Sequence, residues 1–274
     1  MASQTPHPPL AAQWIQPDWP APNNIRAWVS TRGEPRIPNH PFGRFNTASH
    51  VQDDPARVHN ARTELVAAFG FQYPPLWLDQ VHGTDVVRAT PDTRSQAADA
   101  VITDVPGLPI TIHTADCLPV FFCNRSGTQI ALAHAGWRGL AAGVIENTVE
   151  AFSEPPQNLI VWLGPAIGPQ AFEVGDDVRQ AFLRHDPEHE AAFIPTVASV
   201  AGESIETSSA AAKKSSSAQH WHCDLYLLAR QRLRQLGITQ ISGGNFCTAT
   251  DDCFYSFRRD SKTGRMLSIL WLNP

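Results

Sequence analysis

Short, uninterrupted apolar runs alternate along this chain with polar segments rich in turn residues. The runs are too short for core helices and read as strands buried on both faces. The clearest are ITIHT and LPVFFC (broken at Ala115-Asp116-Cys117), Gln129 to His134, NLIVWLG and the closing MLSILWL. IRAWVSTR, PLWLDQVHG, TDVVRA and ITQIS read as further strands, and Asp99 to Asp104 leads into a turn at Pro106-Gly107. Helical spacing appears elsewhere. Asp54 can cap a helix that Pro55 opens, Val58, Ala61, Leu65 and Ala68 mark its buried face, and Gly70 ends it. A second helix follows the turn Gly136-Trp137-Arg138-Gly139, with Leu140, Val144, Thr148 and Phe152 on one face. VGDDVRQAFLRH reads as a third, capped by Asp176. A fourth runs from an Asp224 cap to Leu236, with Gly237 as its stop. FYSFRRDSKTGR reads as a hairpin strand with DSKTG at its tip, which would send Arg258 and Arg259 to opposite faces.

Strands and helices mix without a clean βαβ alternation, and no internal repeat is evident. The expected class is therefore α+β, a single domain of mixed β-sheets flanked by helices over residues 25–274. Residues 1–24 are proline-rich and read as a flexible arm. Residues 195–220 are rich in serine and alanine without an apolar period, and read as a mobile surface insertion.

Composition narrows the function classes. At 274 residues and 42% hydrophobic content the chain can bury a sizeable core. A net charge of −5 lacks the basic footprint of a nucleic-acid partner. No stretch approaches the roughly 18 apolar residues of a membrane span. The opening MASQTPHPPLAAQW lacks the features of a secretory signal. The five cysteines, Cys117, Cys123, Cys223, Cys247 and Cys253, are odd in number and widely spaced. A reduced, cytoplasmic setting is expected rather than a disulfide framework.

The candidate chemistry sits at strand ends. His82, Cys117 and His134 each fall where an expected strand runs into a turn. Two imidazoles and a thiolate suit a borderline-soft ion such as zinc, and three protein ligands leave a fourth position open to an activated water. Each also has a plain alternative: a buried thiol can be apolar filler, and a histidine can bond a carbonyl. Asp116 and Gln80 lie beside the set, where hydrogen bonds to ligating imidazoles would originate. His113 is a further possible ligand, read first as a cross-strand partner. AHAGWRG places free amides and Arg138 together as an anion pocket, or else Arg138 pairs with a carboxylate at the core edge. Arg258, Arg259 and Arg265 lie beside two aromatics, and of Arg258 and Arg259 at most one is expected in a cleft with Tyr255 or Phe257. LGPAIG, with Glu173 soon after, permits close backbone approach to a ligand or is a simple turn. His220-Trp221-His222 reads as surface.

Together DQVHG, TADCLPV, AHAGWRG, LGPAIG, CDLYLLARQRL and FYSFRRDSKTGR resemble the laccase-domain family. Its members were first called multicopper polyphenol oxidoreductases and are now regarded mainly as purine nucleoside phosphorylases. The resemblance runs from about Trp28 to Leu272. It implies a single α+β domain and one zinc ion held by His82, Cys117 and His134. It also implies phosphorolysis of adenosine, inosine, guanosine and methylthioadenosine, with deamination of adenosine. Asp116 joins the three ligands as a catalytic candidate. Arg32, Asn46, Gln80, Arg138, Gly139, Glu173, Tyr255 and Arg258 are the candidates for nucleoside or phosphate contact. Some bacterial members are similar to a peptidoglycan editing factor, so an amidase with Cys117 as nucleophile and His134 as base is the alternative. A copper phenol oxidase would need several H-x-H pairs, whereas this chain has one. A binding protein with a structural metal would need a fourth ligand such as His113. The chain departs from the family after Thr31-Arg32-Gly33, where Glu34-Pro35-Arg36-Ile37 replaces a glycine pair and a serine.

Overall fold

The computed structural model describes residues 13–34, 40–196 and 219–274. In the first half lie β1 (Trp14–Ile15), β2 (Ile25–Ser30), α1 (Pro55–Phe69), β3 (Val86–Arg88), β4 (Ala100–Thr103), β5 (Ile110–Thr114), β6 (Leu118–Asn124) and β7 (Ile130–Ala135). Next come α2 (Trp137–Ala142), α3 (Val144–Glu150), β8 (Leu159–Leu163), β9 (Glu173–Gly175), α4 (Asp176–Leu183) and β10 (Phe193–Pro195). The chain closes with β11 (His220–Cys223), α5 (Leu225–Gln235), β12 (Gln240–Gly243), α6 (Phe257–Asp260) and β13 (Met266–Leu272).

The strands form a six-stranded mixed sheet in the order β12-β8-β6-β7-β4-β3, a four-stranded sheet β1-β2-β13-β5 and a small sheet β10-β11-β9. Period-two alternation inside the apolar runs explains the layering. In β6, Leu118, Val120 and Phe122 join the core shared with Leu140, Val144 and Ile145 of α2 and α3 and with Leu228 and Leu233 of α5. Phe121 and Cys123 point the other way, into a core shared with Val29, Ile110, Ile112 and Leu270 of the four-stranded sheet. The far side of that sheet offers Leu267, Ile269 and Trp271 to Ala61, Leu65 and Phe69 of α1. The order of layers is helix, sheet, sheet, helices, and the α+β expectation holds.

Several local expectations changed. Asp54 caps α1 by accepting from Ala56 N at 2.8 Å, and Gly70 closes it at φ 60°, as read from sequence. The helix after Gly136 breaks in two because Gly143 adopts φ 107°. Asp176 does not cap α4; it is the first helical residue, behind Gly175. PLWLDQVHG is not a strand and makes only isolated bridges, Leu76 to Ile110 and Asp79 to Ala97. The FYSFRRD segment is a short helix capped by Ser256, not a hairpin strand.

Of the expected arm, residues 1–12 lie outside the described residues. Its remainder is anchored: β1 pairs antiparallel with β2, and Trp14 packs edge-on to Phe45 and Phe69. Of the expected insertion, residues 197–218 lie outside the described residues. Its two ends enter the small sheet, where Pro195 pairs with Trp221. Among the described residues no helix is long and apolar enough to cross a membrane.

Candidate functional site

Strand register brings the site together. Leu118 pairs with Ala135 and Pro119 with His134, so Cys117, one residue before β6, lies beside the end of β7. β4 runs along the other edge of β7, and His134 N donates to the carbonyl of Asp99 at 2.7 Å. His82 arrives from the loop before β3. The ligand atoms of His82, Cys117 and His134 all lie within 4.8 Å of one another, with His82 Nε2 3.9 Å from Cys117 Sγ.

Asp99 organises this cluster, and the sequence reading missed it. Its carboxylate is fully buried and accepts from the backbone N–H of Val81 at 3.1 Å, His82 at 2.9 Å and Gly83 at 2.6 Å. It also accepts from His134 Nδ1 at 2.7 Å. A carboxylate only accepts, so Nδ1 carries a proton and Nε2, facing Cys117 and His82, is the nitrogen that would offer a lone pair to a metal ion. The same bonds hold His82 at φ 59°, a conformation that costs a non-glycine residue on the order of 1 kcal/mol or more. The signal was a lone acid immediately before the apolar run AVIT. Burial opposes its ionisation, but the hydrogen bonds from His134 and the loop amides prevail and hold its pKa below the usual carboxylate value.

The electrostatics couple Cys117 to His134. Burial opposes a thiolate, but the charge of His134 and hydrogen bonds from both histidines hold the Cys117 pKa at about 6. Burial likewise opposes the His134 cation, but Cys117 and Asp99 raise its pKa to about 9. Without a cation the two form a thiolate–imidazolium pair. Glycine makes room for the cluster: a Cβ on Gly136 would sit 3.0 Å from both Cys117 Sγ and His82 Cδ2.

The cluster opens into a cleft of about 430 Å³ at the end of the sheet sandwich, within the range of small-molecule sites. Gln80, Asp116, Arg138 and Arg258 line it, as expected from sequence. Gln80 acts through its amide, which exchanges two 2.8 Å bonds with the backbone of His113 and so anchors the His82 loop to β5. Asp116, at φ 87°, accepts from Thr248 Oγ1 and from Arg258 N, both at 2.6 Å. Both its oxygens are therefore engaged. His50, which the sequence reading did not single out, also lines the cleft, as do His113, read first as a cross-strand partner, and Arg265, one of the three arginines near the C-terminus. His113 stacks on Trp77 at 5.4 Å and bonds Thr47 Oγ1 at 2.8 Å. It is a wall of the cleft, outside the group of ligand atoms.

Other expected contact residues do not reach the cleft. Arg32 is buried, donates to the carbonyl of His40 at 2.8 Å and lies over Tyr255. Tyr255 is buried too, and its hydroxyl donates to the carbonyls of Phe42 and Phe45. Asn46 is buried between Ala48, Asp53 and the backbone N–H of Arg265. Gly139 packs against the His82 loop, where a Cβ would meet the carbonyl of Gly83 at 2.7 Å. Glu173 turns away and pairs with His220 at 2.5 Å. Of the two arginines in α6, Arg258 lines the cleft. Arg259 instead caps the carbonyls of Thr248 and Phe254.

The family model described as multi-copper polyphenol oxidoreductase laccase matches residues 26–273. The chain belongs to this laccase-type family. Among the relatives it resembles are two named purine nucleoside phosphorylases. That of Pseudomonas aeruginosa is 47% identical, over 94% of this chain and 98% of the relative. YfiH of Escherichia coli is 46% identical, with the same coverage. Two solved structures share the fold. A Neisseria meningitidis protein aligns with a TM-score of 0.81 at 39% identity, over 95% of this chain and 99% of its own. YlmD of Geobacillus stearothermophilus aligns at 0.80 and 28%, over 97% and 100%.

Proposed function

We propose that the protein is a zinc-dependent purine nucleoside phosphorylase. The observation that carries this reading is the convergence of His82, Cys117 and His134 at the base of a ligand-sized cleft whose rim carries arginines. The names of its relatives point the same way and support an enzyme acting on a nucleoside and phosphate. Adenosine, inosine, guanosine and methylthioadenosine are the proposed substrates.

The residues fit a metal ion. His82 Nε2, Cys117 Sγ and His134 Nε2 would hold it, and two nitrogens with one sulfur suit zinc. Bound there, zinc supplies Lewis acidity and lowers the pKa of a coordinated water. Copper in a multicopper arrangement fits less well. Among the described residues one such group is found, and His220 of the H-x-H pair is bonded to Glu173 in the small sheet. Around the ion, Ile167, Phe172 and Phe257 give the cleft an apolar wall for a purine, while Arg138 and Arg258 present positive charge. His50 and His113 both titrate below an ordinary histidine, first through burial and then through neighbouring cations. They therefore face the cleft neutral at pH 7, able to accept or donate hydrogen bonds to a base. Deamination of adenosine in the same cleft is the second activity we propose.

The test uses protein purified without chelator, given adenosine with and without phosphate, with products separated by chromatography beside a zinc assay. Adenine released only with phosphate supports phosphorolysis, and inosine formed without it supports deamination. Zinc-loaded protein that turns over neither adenosine nor inosine refutes the purine reading. The thiolate–imidazolium pair of Cys117 and His134 favours one other reading, a thiol amidase acting on a peptidoglycan precursor. Activity of the metal-free protein on such a precursor would select it.

A further inference from the structure

Arg138, Arg258 and Arg265 all line the cleft, and among the described residues none forms a salt bridge with a carboxylate. Their settings differ. Arg138 is exposed and lies over Trp137 at 4.3 Å. Arg258 lies over Phe172 and has Nη1 bonded to the carbonyl of Glu173 at 2.9 Å.

Arg265 is half-buried just ahead of β13 and is held on both sides. Asn46 Oδ1 accepts its backbone N–H at 3.1 Å, and its Nη1 donates to the carbonyls of Thr263 at 2.8 Å and Gly264 at 3.0 Å. These bonds fix the guanidinium plane and leave Nε and Nη2 without a protein acceptor among the described residues. Burial weakens its charge, and the pull that counters it comes from Cys117 and Asp116. Asp116 already has both oxygens engaged by Thr248 and Arg258. Cys117 would be engaged by the metal ion that it could hold with His82 and His134. Neither acidic neighbour hydrogen-bonds the guanidinium, so its two remaining nitrogens are open to an anion in the cleft.

We propose that Arg265 is the residue that holds the attacking phosphate beside the metal, using Nε and Nη2 as a fork. This rests on the phosphorylase reading and deepens it. A guanidinium fork matches two phosphate oxygens, and a rigid one loses little freedom on binding. In the reaction a phosphate oxygen bonds C1′ of the ribose. The C1′–N9 bond breaks, and its electron pair leaves with the purine. The proton of monohydrogen phosphate ends on the departing base, so the products are ribose 1-phosphate and free purine. Arg265 stabilises the dianion in line with C1′, and Asn46 acts as a positioning residue behind it.

The test is calorimetric titration of inorganic phosphate into zinc-loaded protein, with separate KM values for phosphate and nucleoside. Arg265→Gln should weaken phosphate binding by about 10- to 100-fold, the range for one charge-assisted contact, with zinc content unchanged. The KM for phosphate should rise by the same factor while the KM for nucleoside stays within about threefold. Arg265→Lys keeps the charge without the fork, and should fall between the two in phosphate affinity; it carries the test should the glutamine variant fail to fold. Phosphate affinity unchanged in a folded Arg265 variant overturns the inference, as does a native protein that binds no phosphate. Arg265-dependent phosphate binding without any nucleoside turnover would uphold the anion site and remove the phosphorylase reading.

Discussion

Replacing Asp99 by asparagine should weaken the metal centre without emptying it of ligands. The carboxylate accepts four N–H groups, three from the His82 loop and one from His134 Nδ1. An asparagine of the same shape offers one acceptor oxygen and turns an NH₂ toward the remaining donors. Each oxygen of Asp99 now takes two of the four bonds, so two donors lose their partner in a fully buried setting. An unsatisfied buried donor costs about 1–3 kcal/mol, which gives about 2–6 kcal/mol before relaxation. Loss of the outer partner of a ligating histidine weakens metal affinity by about 10- to 100-fold. The assays are urea unfolding of the metal-free variant and competition with a chromophoric zinc chelator. Asp99→Asn that binds zinc within twofold of the native protein, and unfolds within about 0.5 kcal/mol of it, would refute the role assigned to this residue.

Other outcomes follow from the same geometry. In metal-free protein the Cys117 thiolate should react with iodoacetamide with a midpoint near pH 6, falling off below it, and zinc should abolish the reaction. Mass spectrometry of the alkylated peptide reads this; a midpoint near the ordinary thiol value would remove the His134 pairing. Gly136→Ala puts a methyl 3.0 Å from both Cys117 Sγ and His82 Cδ2. It should lower zinc affinity about tenfold with little loss of stability, because Gly136 sits at φ −63° and ψ 156°, where alanine is unstrained. Leu65→Ala, on the buried face of α1, should cost about 2–5 kcal/mol in urea unfolding and leave zinc affinity unchanged.

Features set by local chemistry were legible in the sequence. The caps of α1 and α5 come from Asp54 and Asp224, each bonding an amide two or three residues on. The runs of β5, β6 and β7 were legible because strands buried on both faces are apolar throughout. What failed depends on distant partners. PLWLDQVHG has strand composition, yet the Gln80 side chain replaces strand pairing by bonding the His113 backbone. Tyr255, an aromatic beside the C-terminal arginines, and Arg32 were both named as candidates for substrate contact. Tyr255 instead ties down carbonyls more than 200 positions away in sequence, and Arg32 lies over its ring. His82, Cys117 and His134 were legible as a candidate metal-holding group by residue type and position at strand ends, and the fold brings them together. Asp99 was not singled out, and Arg265 was named only as one of three neighbouring arginines, because the surroundings of both depend on which groups the fold leaves unpaired.

The most direct measurement titrates zinc into metal-free protein while following phosphate-dependent release of adenine from adenosine. Activity should rise linearly and level off at one zinc per chain, and Cys117→Ala should show neither tight zinc binding nor adenine release. Full activity without metal, or one tightly bound zinc per chain with no adenine released, would contradict the assignment of this site.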